Sequence, residues 1–274
     1  MVKLETYLQE RSAVIEKALD LYLPKADEHP AIIHEAMRYS VMDGGKRIRP
    51  VLTLAVNELF GGMVEEAILP ACAIELIHSY SLVHDDLPTL DNDDLRRGKP
   101  SCHKKYGEAI ALLTGDALLT FAFQLLGHME DSAKSARLAH EISKAAGTSG
   151  MIGGQVLDIQ AMASEIKLSQ LDDINARKTG ELIKVSCLAG AVVGGASEEE
   201  EMRILRFGEY LGFAFQVVDD IIDRDGCLRF MSEREARAKA QMLTDKAKTE
   251  LAIFRKETSE ILCLIADAIL DRKH

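Results

Sequence analysis

Asp85, Asp86 and Asp91 lie in Ser81-Leu-Val-His-Asp-Asp-Leu-Pro-Thr-Leu-Asp-Asn-Asp-Asp-Leu-Arg-Arg-Gly-Lys-Pro100, at the end of an apolar run that Pro88 interrupts. Asp219, Asp220 and Asp223 end a second apolar run, Phe-Ala-Phe-Gln-Val-Val-Asp-Asp-Ile-Ile-Asp. On a helix Asp219 and Asp223 are i and i+4 and share a face. Carboxylates placed where an apolar helix ends sit where a core meets a cavity mouth. Such hard oxygen donors suit Mg²⁺, which takes one or two carboxylates and completes its shell with water and phosphate oxygens. Either cluster alone reads equally well as a solvated, charged helix end; two of them, each after an apolar run, are harder to dismiss. Asp93 and Asp94 read as the acidic first turn of a following helix, where they favour its dipole.

Cations stand close to these acids. Gly44-Gly45-Lys46-Arg47-Ile48-Arg49-Pro50 is a glycine turn that delivers three positive charges at a helix start, and Arg96 and Arg97 follow the first acidic cluster. Arg is suited to bidentate phosphate contacts, and helix-start N–H groups add to an anion site. The plain reading of the first group is a solvated loop.

Helices must carry these groups. All six prolines lie in the first hundred residues, long Ala/Leu/Ile/Glu/Lys-rich stretches follow, and period-2 alternation is nearly absent. The pattern predicts helices near 2–22, 30–43, 48–60, 64–86, 92–97, 108–129, 132–147, 149–163, 170–195, 198–224 and 231–271, the last one broken. Ser197 before Glu198–Glu201 reads as an N-cap with an acidic first turn. No linker, repeat or low-complexity segment interrupts the chain, which predicts one all-α domain over 1–274.

The 274 residues are 47% hydrophobic and 28% charged, with a mean hydropathy of -0.03, as in ordinary globular proteins. A net charge of -11 works against nucleic-acid or anionic-membrane binding. The N-terminus has no apolar core of a signal peptide. Residues 109–129 come nearest to a membrane span, but a central Asp116 costs about 2.5–3.5 kcal/mol there; a buried core helix with Asp116 as a hydrogen-bonding carboxylate is the better reading, without stable membrane insertion. Five scattered cysteines without a C-x-x-C exclude a zinc module and suit a reduced, cytoplasmic protein.

Five ordered segments carry a family resemblance: G-G-K-R-I-R-P, H-D-D-L-P-T-L-D-N-D-D-L-R-R-G-K-P, G-G-Q-V-L-D, R-K-T-G and F-Q-V-V-D-D-I-I-D. In this order, from about residue 30 to 224, they resemble the trans-polyprenyl diphosphate synthases, and within them the bacterial farnesyl diphosphate synthases. The resemblance implies an isoprenoid-synthase helical bundle, with the two Asp-rich motifs facing each other across a deep central cavity, and a homodimer. It implies that Lys46, Arg49, His78 and Arg97 hold the diphosphate of isopentenyl diphosphate. Asp85, Asp86, Asp91 and Asp219, with Asp220 and Asp223 in the same motif, would hold Mg²⁺ (or Mn²⁺) on the allylic diphosphate. Arg96 and Lys178 would contact that diphosphate, and Thr179 and Gln216 would line the reacting carbons. Tyr80 and Ser81 occupy the positions whose bulk limits product length. Taken alone, His78 is a core histidine and Tyr80 a core aromatic; Gln155 and Asp158 are either supporting groups or polar residues at a kink.

One departure stands out. After Asp223 the family continues through a long loop with a further diphosphate-binding Lys, whereas here Arg224–Met231 leads directly into the terminal helices. Lys239, Arg229 and Arg224 are the cations near enough in sequence to substitute. The implied activity is Mg²⁺-dependent condensation of isopentenyl diphosphate with dimethylallyl or geranyl diphosphate to farnesyl diphosphate. The alternatives are a geranylgeranyl diphosphate synthase and, because of the missing loop, a non-catalytic subunit of a heteromeric synthase. A metal-dependent phosphohydrolase, suggested by His84-Asp85, lacks further His ligands in acidic settings.

Overall fold

The computed structural model describes residues 4–272. Thirteen α-helices and one two-stranded hairpin are found among the described residues. The chain divides into two compact units, with the divisions falling inside helices. One unit comprises Glu5–Val51 and Ile68–Ala136, the other Leu52–Ala67 and the chain from Arg137 onward.

The first unit carries α1 (Leu4–Tyr22), α2 (Ala31–Met42), most of α4 (Val64–Asp85), α5 (Cys102–Tyr106) and α6 (Glu108–Leu126). Arg38 on α2 donates to the Asp20 carbonyl in the last turn of α1 and to the Leu23 and Pro24 carbonyls just beyond it, so one guanidinium ties α2 to the end of α1. Residues Ala71–Ala73, Ile74, Leu76 and Ile77 of α4 are buried on every face, as expected of a helix apolar all round. α6 instead buries one face, through Ala111, Thr114, Gly115, Leu118, Ala122 and Leu125. Leu112 and Leu113 remain exposed. Val64–Asp85 and Glu108–Leu126 are both long and apolar enough to cross a membrane, and their most apolar windows are 67% and 39% buried. The core-helix expectation for 109–129 therefore holds for one face, and Asp116, expected to be buried, is 59% exposed, 4.0 Å from His84 Nε2.

A helix was also expected over 92–97; the chain instead forms strands β1 (Leu95–Arg96) and β2 (Lys99–Pro100), with Leu95 opposite Pro100 and Arg96 opposite Lys99. The two-residue loop, Arg97-Gly98, has φ of 53° and 79°. Positive φ at both central positions is the type I′ pattern, whose twist matches an antiparallel pair. Asp93 and Asp94 thus do not open a helix; they pair with Arg96 and Lys104.

The second unit holds most of α3 (Ile48–Leu59), α8 (Met151–Ala161), α9 (Leu168–Asn175), α10 (Glu181–Gly194), α11 (Glu198–Asp223), α12 (Glu233–Glu250) and α13 (Lys256–Leu270); α7 (Ser132–Ala146) enters it at Arg137. α10 is buried from Leu182 to Val193 without a gap except Lys184. Gly190 lets α3 approach: a Cβ there would fall 2.3 Å from Thr53 O, and Thr53 Oγ1 donates to Ser186 O at 2.9 Å. Ser197 caps α11 as expected, and Glu200 bonds back to complete a capping box; Ser232 with Glu235 does the same for α12. The expected helix over 170–195 is split by a π-helical turn, Ala176–Gly180, and the predicted break in the last helix falls at the 3₁₀ turn Leu251–Ile253.

Candidate active site

The first acidic cluster is shaped by how α4 ends. Past Asp85 the chain folds back, with Asp91 N–H donating to Asp85 O at 2.9 Å and Asn92 N–H to Leu87 O at 3.1 Å. Asn92 makes the reversal at φ 54°. Asp91 is exposed and Asp85 half-buried. Asp86 is turned away from solvent, at 2% exposure, and takes the Arg96 guanidinium, with Nε 3.0 Å from Oδ1. Of the three carboxylates expected to act together, the backbone reversal links the segments of Asp85 and Asp91, while Asp86 is spent on Arg96.

The cations of the same unit gather on the loop before α3 and on the hairpin tip. Arg97, at the hairpin tip, donates to the Gly44 carbonyl. Gly45 has φ 126°, which favours glycine, and a Cβ there would also lie 2.7 Å from Arg97 Nη2, where the guanidinium rests on the loop. Arg49 Nη1 is 3.5 Å from His78 Nε2, and Lys46 is exposed. Arg47, one of the three cations expected to be delivered at the helix start, is buried and bonded to Glu75 at 2.6 Å. Burial, and after it the charges of Arg49, Arg97, Arg47 and Arg96, holds His78 well below the ordinary histidine range, so at neutral pH it is an uncharged imidazole among guanidinium groups.

Tyr80 is 4% exposed, and its hydroxyl is buried without a hydrogen-bond partner. Burial, reinforced by Asp85, pushes its phenol up to about 12. Its ring meets His84 edge-on at 5.8 Å. Ser81 donates to His78 O at 2.9 Å.

In the second unit the α11 cluster is arranged differently. Asp219 accepts from Arg272 Nη1 at 2.6 Å, and the same guanidinium lies 4.9 Å from the Phe215 ring. Asp220 is buried; Cys227 N–H donates to it at 2.8 Å and Gln216 Nε2 at 2.9 Å. Asp220 therefore closes the turn after α11, and Gly226 packs on its carboxylate. Asp223 is exposed. Lys178 and the half-buried Thr179 sit on the π turn, with Lys178 Nζ 2.7 Å from Asp158 Oδ2. π turns are rare and concentrate at functional sites. This one rests on α8, where a Cβ on Gly154 would fall 2.4 Å from Lys178 N. Asp158 thus has a partner, while Gln155 Oε1 is buried and unpaired.

Among the cations considered for the absent lid lysine, Lys239 is held by Asp172 at 2.8 Å, and Arg224 and Arg229 are exposed. The cation that does reach the second motif, Arg272, was not foreseen. Its only sequence signal is a basic residue just past the final apolar helix.

Among the described residues, no group of three or more His, Cys, Asp or Glu converges as a ready-made metal cage. The donors offered, Asp85 and Asp91 at one helix end and Asp219 and Asp223 at another, are hard oxygens on solvent-facing or half-buried side chains. Each pair, on its own unit, fits an ion whose shell is completed by phosphate and water rather than by protein alone.

An all-helical chain with acidic helix ends and a basic glycine loop matches the family model described as polyprenyl synthetase, over residues 30–234. It is 44% identical over 229 residues to the farnesyl diphosphate synthase of Geobacillus stearothermophilus, covering 82% of this chain and 77% of that protein. It is 37% identical over 296 residues to the geranylgeranyl diphosphate synthase of Cyanophora paradoxa, covering 98% and 96%. A chloroplastic heterodimeric geranylgeranyl pyrophosphate synthase large subunit of Arabidopsis thaliana is 46% identical over 226 residues; the match covers 80% of this chain but spans only 60% of that protein's length. The crystal structure of an FPP/GFPP synthase from Zymomonas mobilis superposes with a TM-score of 0.93 at 36% identity, covering 97% of this chain and 98% of that one. The chain belongs to the polyprenyl synthetase family. Its class is that of the prenyltransferases, on the isoprenoid-synthase helical fold.

Proposed function

We propose that this chain is a Mg²⁺-dependent synthase that condenses isopentenyl diphosphate with dimethylallyl and then geranyl diphosphate, releasing farnesyl diphosphate. Family membership supports the prenyl transfer. The observation that carries the substrate assignment is the convergence of Arg49, Arg97 and a neutral His78 beside the Gly44–Arg49 loop. Two guanidinium groups and an exposed Lys46 match the charge of one diphosphate, and charge-assisted bonds of this kind are about twice as strong as neutral ones. An imidazole kept neutral donates one hydrogen bond without adding a charge. This cluster is assigned to isopentenyl diphosphate.

Asp85, Asp91, Asp219 and Asp223 are assigned to Mg²⁺ carried on the allylic diphosphate, with Arg96 and Lys178 on its oxygens. Bound there, Mg²⁺ would neutralise charge on the departing diphosphate. The chain's part is then to place cations where that charge develops and to keep water from the allylic carbocation. Thr179 and Gln216 are assigned to the wall of that region. Attack by the isopentenyl double bond, followed by loss of a proton to the departed diphosphate, adds five carbons, and no nucleophilic side chain is needed. For this to occur, Asp219 would exchange Arg272 for the metal, and Arg96 would leave Asp86 for the diphosphate oxygens.

The fifteen-carbon product is assigned from Tyr80, a buried ring one and a half turns before Asp85 on α4. A twenty-carbon product is the second reading, because relatives of both kinds are similar to this chain. A homodimer is proposed to cover the exposed Leu112 and Leu113 of α6. The deciding experiment is incubation with isopentenyl diphosphate, Mg²⁺ and each of dimethylallyl, geranyl and farnesyl diphosphate, with product lengths read by chromatography. A predominant C15 product from the first two starters supports the proposal; extension of farnesyl diphosphate to C20 as the main activity replaces it with the second reading.

A further inference from the structure

Arg47 is the odd member of its loop. Lys46 is exposed and Arg49 half-buried, but Arg47 between them is 2% exposed. Its Nη1 donates to Glu75 Oε1 at 2.6 Å and its Nη2 to Val41 O at 2.6 Å, and Glu16 Oε1 lies 3.8 Å from Nε. Its backbone has φ 48°, a conformation that a long side chain holds only when its surroundings over-determine it. Its carbonyl accepts the Val51 N–H at 3.0 Å, in the first turn of α3. Glu75, itself 2% exposed, is three residues before His78 on α4, and residues so spaced are neighbours on one helix face.

These bonds give the loop two fixed points. Arg97 holds the Gly44 carbonyl, and the forked Arg47 guanidinium pins the next turn to α4 through Glu75 and to the end of α2 through Val41. Lys46 and Arg49 flank the second point, and His78 stands one turn along the helix that supplies it. A buried ion pair is weak evidence for stability, since apolar replacements of both partners often serve as well; its better-attested use is to fix one arrangement among several.

We propose that the Arg47–Glu75 pair is a positioning element, which sets Lys46 and Arg49 at the spacing from His78 and Arg97 at which one diphosphate is gripped. This rests on the assignment of that cluster to isopentenyl diphosphate. Neither residue touches the substrate; they act through the loop. Lys in place of Arg47 would keep the charge and lose the fork.

The test uses the full-length chain and the double variant Arg47→Met/Glu75→Leu, which leaves no unpaired buried charge. Its melting temperature, its calorimetric affinity for isopentenyl diphosphate and its steady-state constants are compared with wild type. The expected result is a melt within a few degrees of wild type, at least about a tenfold rise in Kd and KM for isopentenyl diphosphate, and KM for the allylic substrate within about threefold. A folded double variant with wild-type affinity shows the pair to be structural only and overturns the proposal. Should the double variant not fold, Arg47→Lys gives the same reading: a selective rise in KM for isopentenyl diphosphate supports positioning, and unchanged constants refute it. If wild-type chain does not bind isopentenyl diphosphate at all, the functional assignment fails. If wild type binds and the variants bind equally, only the positioning role fails.

Discussion

His78 titrates in a direction that ties stability to the arginines around it. Its folded-state pKa lies below the ordinary 6.5 because of burial, then of four nearby arginines. Near that pH the unfolded chain takes up a proton that the native chain refuses, so stability falls as pH drops below it. His78→Gln is expected to flatten the decline in melting temperature between about pH 7 and 5; parallel declines in variant and wild type would show that His78 is not the group responsible. Tyr80 acts by volume. Its buried ring stands five residues, or about 7.5 Å of helix rise, before Asp85. Forcing a longer chain into an occupied volume typically costs about 1–3 kcal/mol. Tyr80→Ala should move the main product from C15 to C20 or longer, with the first condensation little changed. A mutant that still stops at C15 places the limit elsewhere.

Two glycines of α8 and the π turn make opposite predictions at the level of elements. A Cβ on Gly154 would meet Lys178 N at 2.4 Å, which is backbone and has no flexible end to move. Gly154→Ala is expected to destabilise the chain by about 1–3 kcal/mol and to raise KM for the allylic substrate, because Lys178 and Thr179 ride on the displaced turn. Gly180, with helical dihedrals of -68° and -42°, has only Asn175 O at 3.7 Å near its Cβ position. There Ala relieves the entropy that glycine loses in a helix, about 0.5–1 kcal/mol, and Gly180→Ala should melt slightly higher. Similar melts for both variants, compared by calorimetry, would mean that α8 does not seat the π turn. The segment after α11 belongs to the same scale: Arg224 reverses the chain at φ 56° and Asp220 caps the short 3₁₀ turn Gly226–Arg229. A carboxylate from the second motif thus does local structural work in place of a long loop.

Ligand linkage is the whole-molecule test of the proposed site. An anion and metal that bind only the native chain stabilise it by about 2.7 kcal/mol at a hundred times Kd, and chains of this length shift by about 2–4 °C per kcal/mol. Mg²⁺ with inorganic pyrophosphate should therefore raise the melting temperature by about 5 °C or more. Either alone should do less, and Asp85→Ala should lose most of the combined effect. In turnover the same variant should fall at least about a hundredfold in kcat, since several kcal/mol of charge stabilisation leave with the carboxylate. A full shift in excess EDTA would falsify the metal assignment. The net charge of -11 sharpens this test, because a polyanion has no general attraction to such a chain and must find its local cations.

What the sequence determined by itself was local or periodic. Most of the helices follow from apolar spacing, the Ser197 cap from a hydroxyl just before the acidic run Glu198–Glu201, and the Asp-rich ends from their place after apolar runs. The order of five short segments was enough to indicate the family that the comparisons then established. The tertiary structure decided what depends on partners far along the chain. Arg47 turns inward because Glu75, 28 residues away, neutralises it. Asp219 meets Arg272 across 53 residues, which no spacing rule anticipates. Arg97 reaches the Gly44 loop because Arg97-Gly98 reverses in left-handed dihedrals, for which Arg-Gly is a weaker signal than Asn-Gly. A side chain's type announces what it is able to bind. Which of its candidate partners it meets is settled only when burial makes an unpaired charge too costly to leave alone.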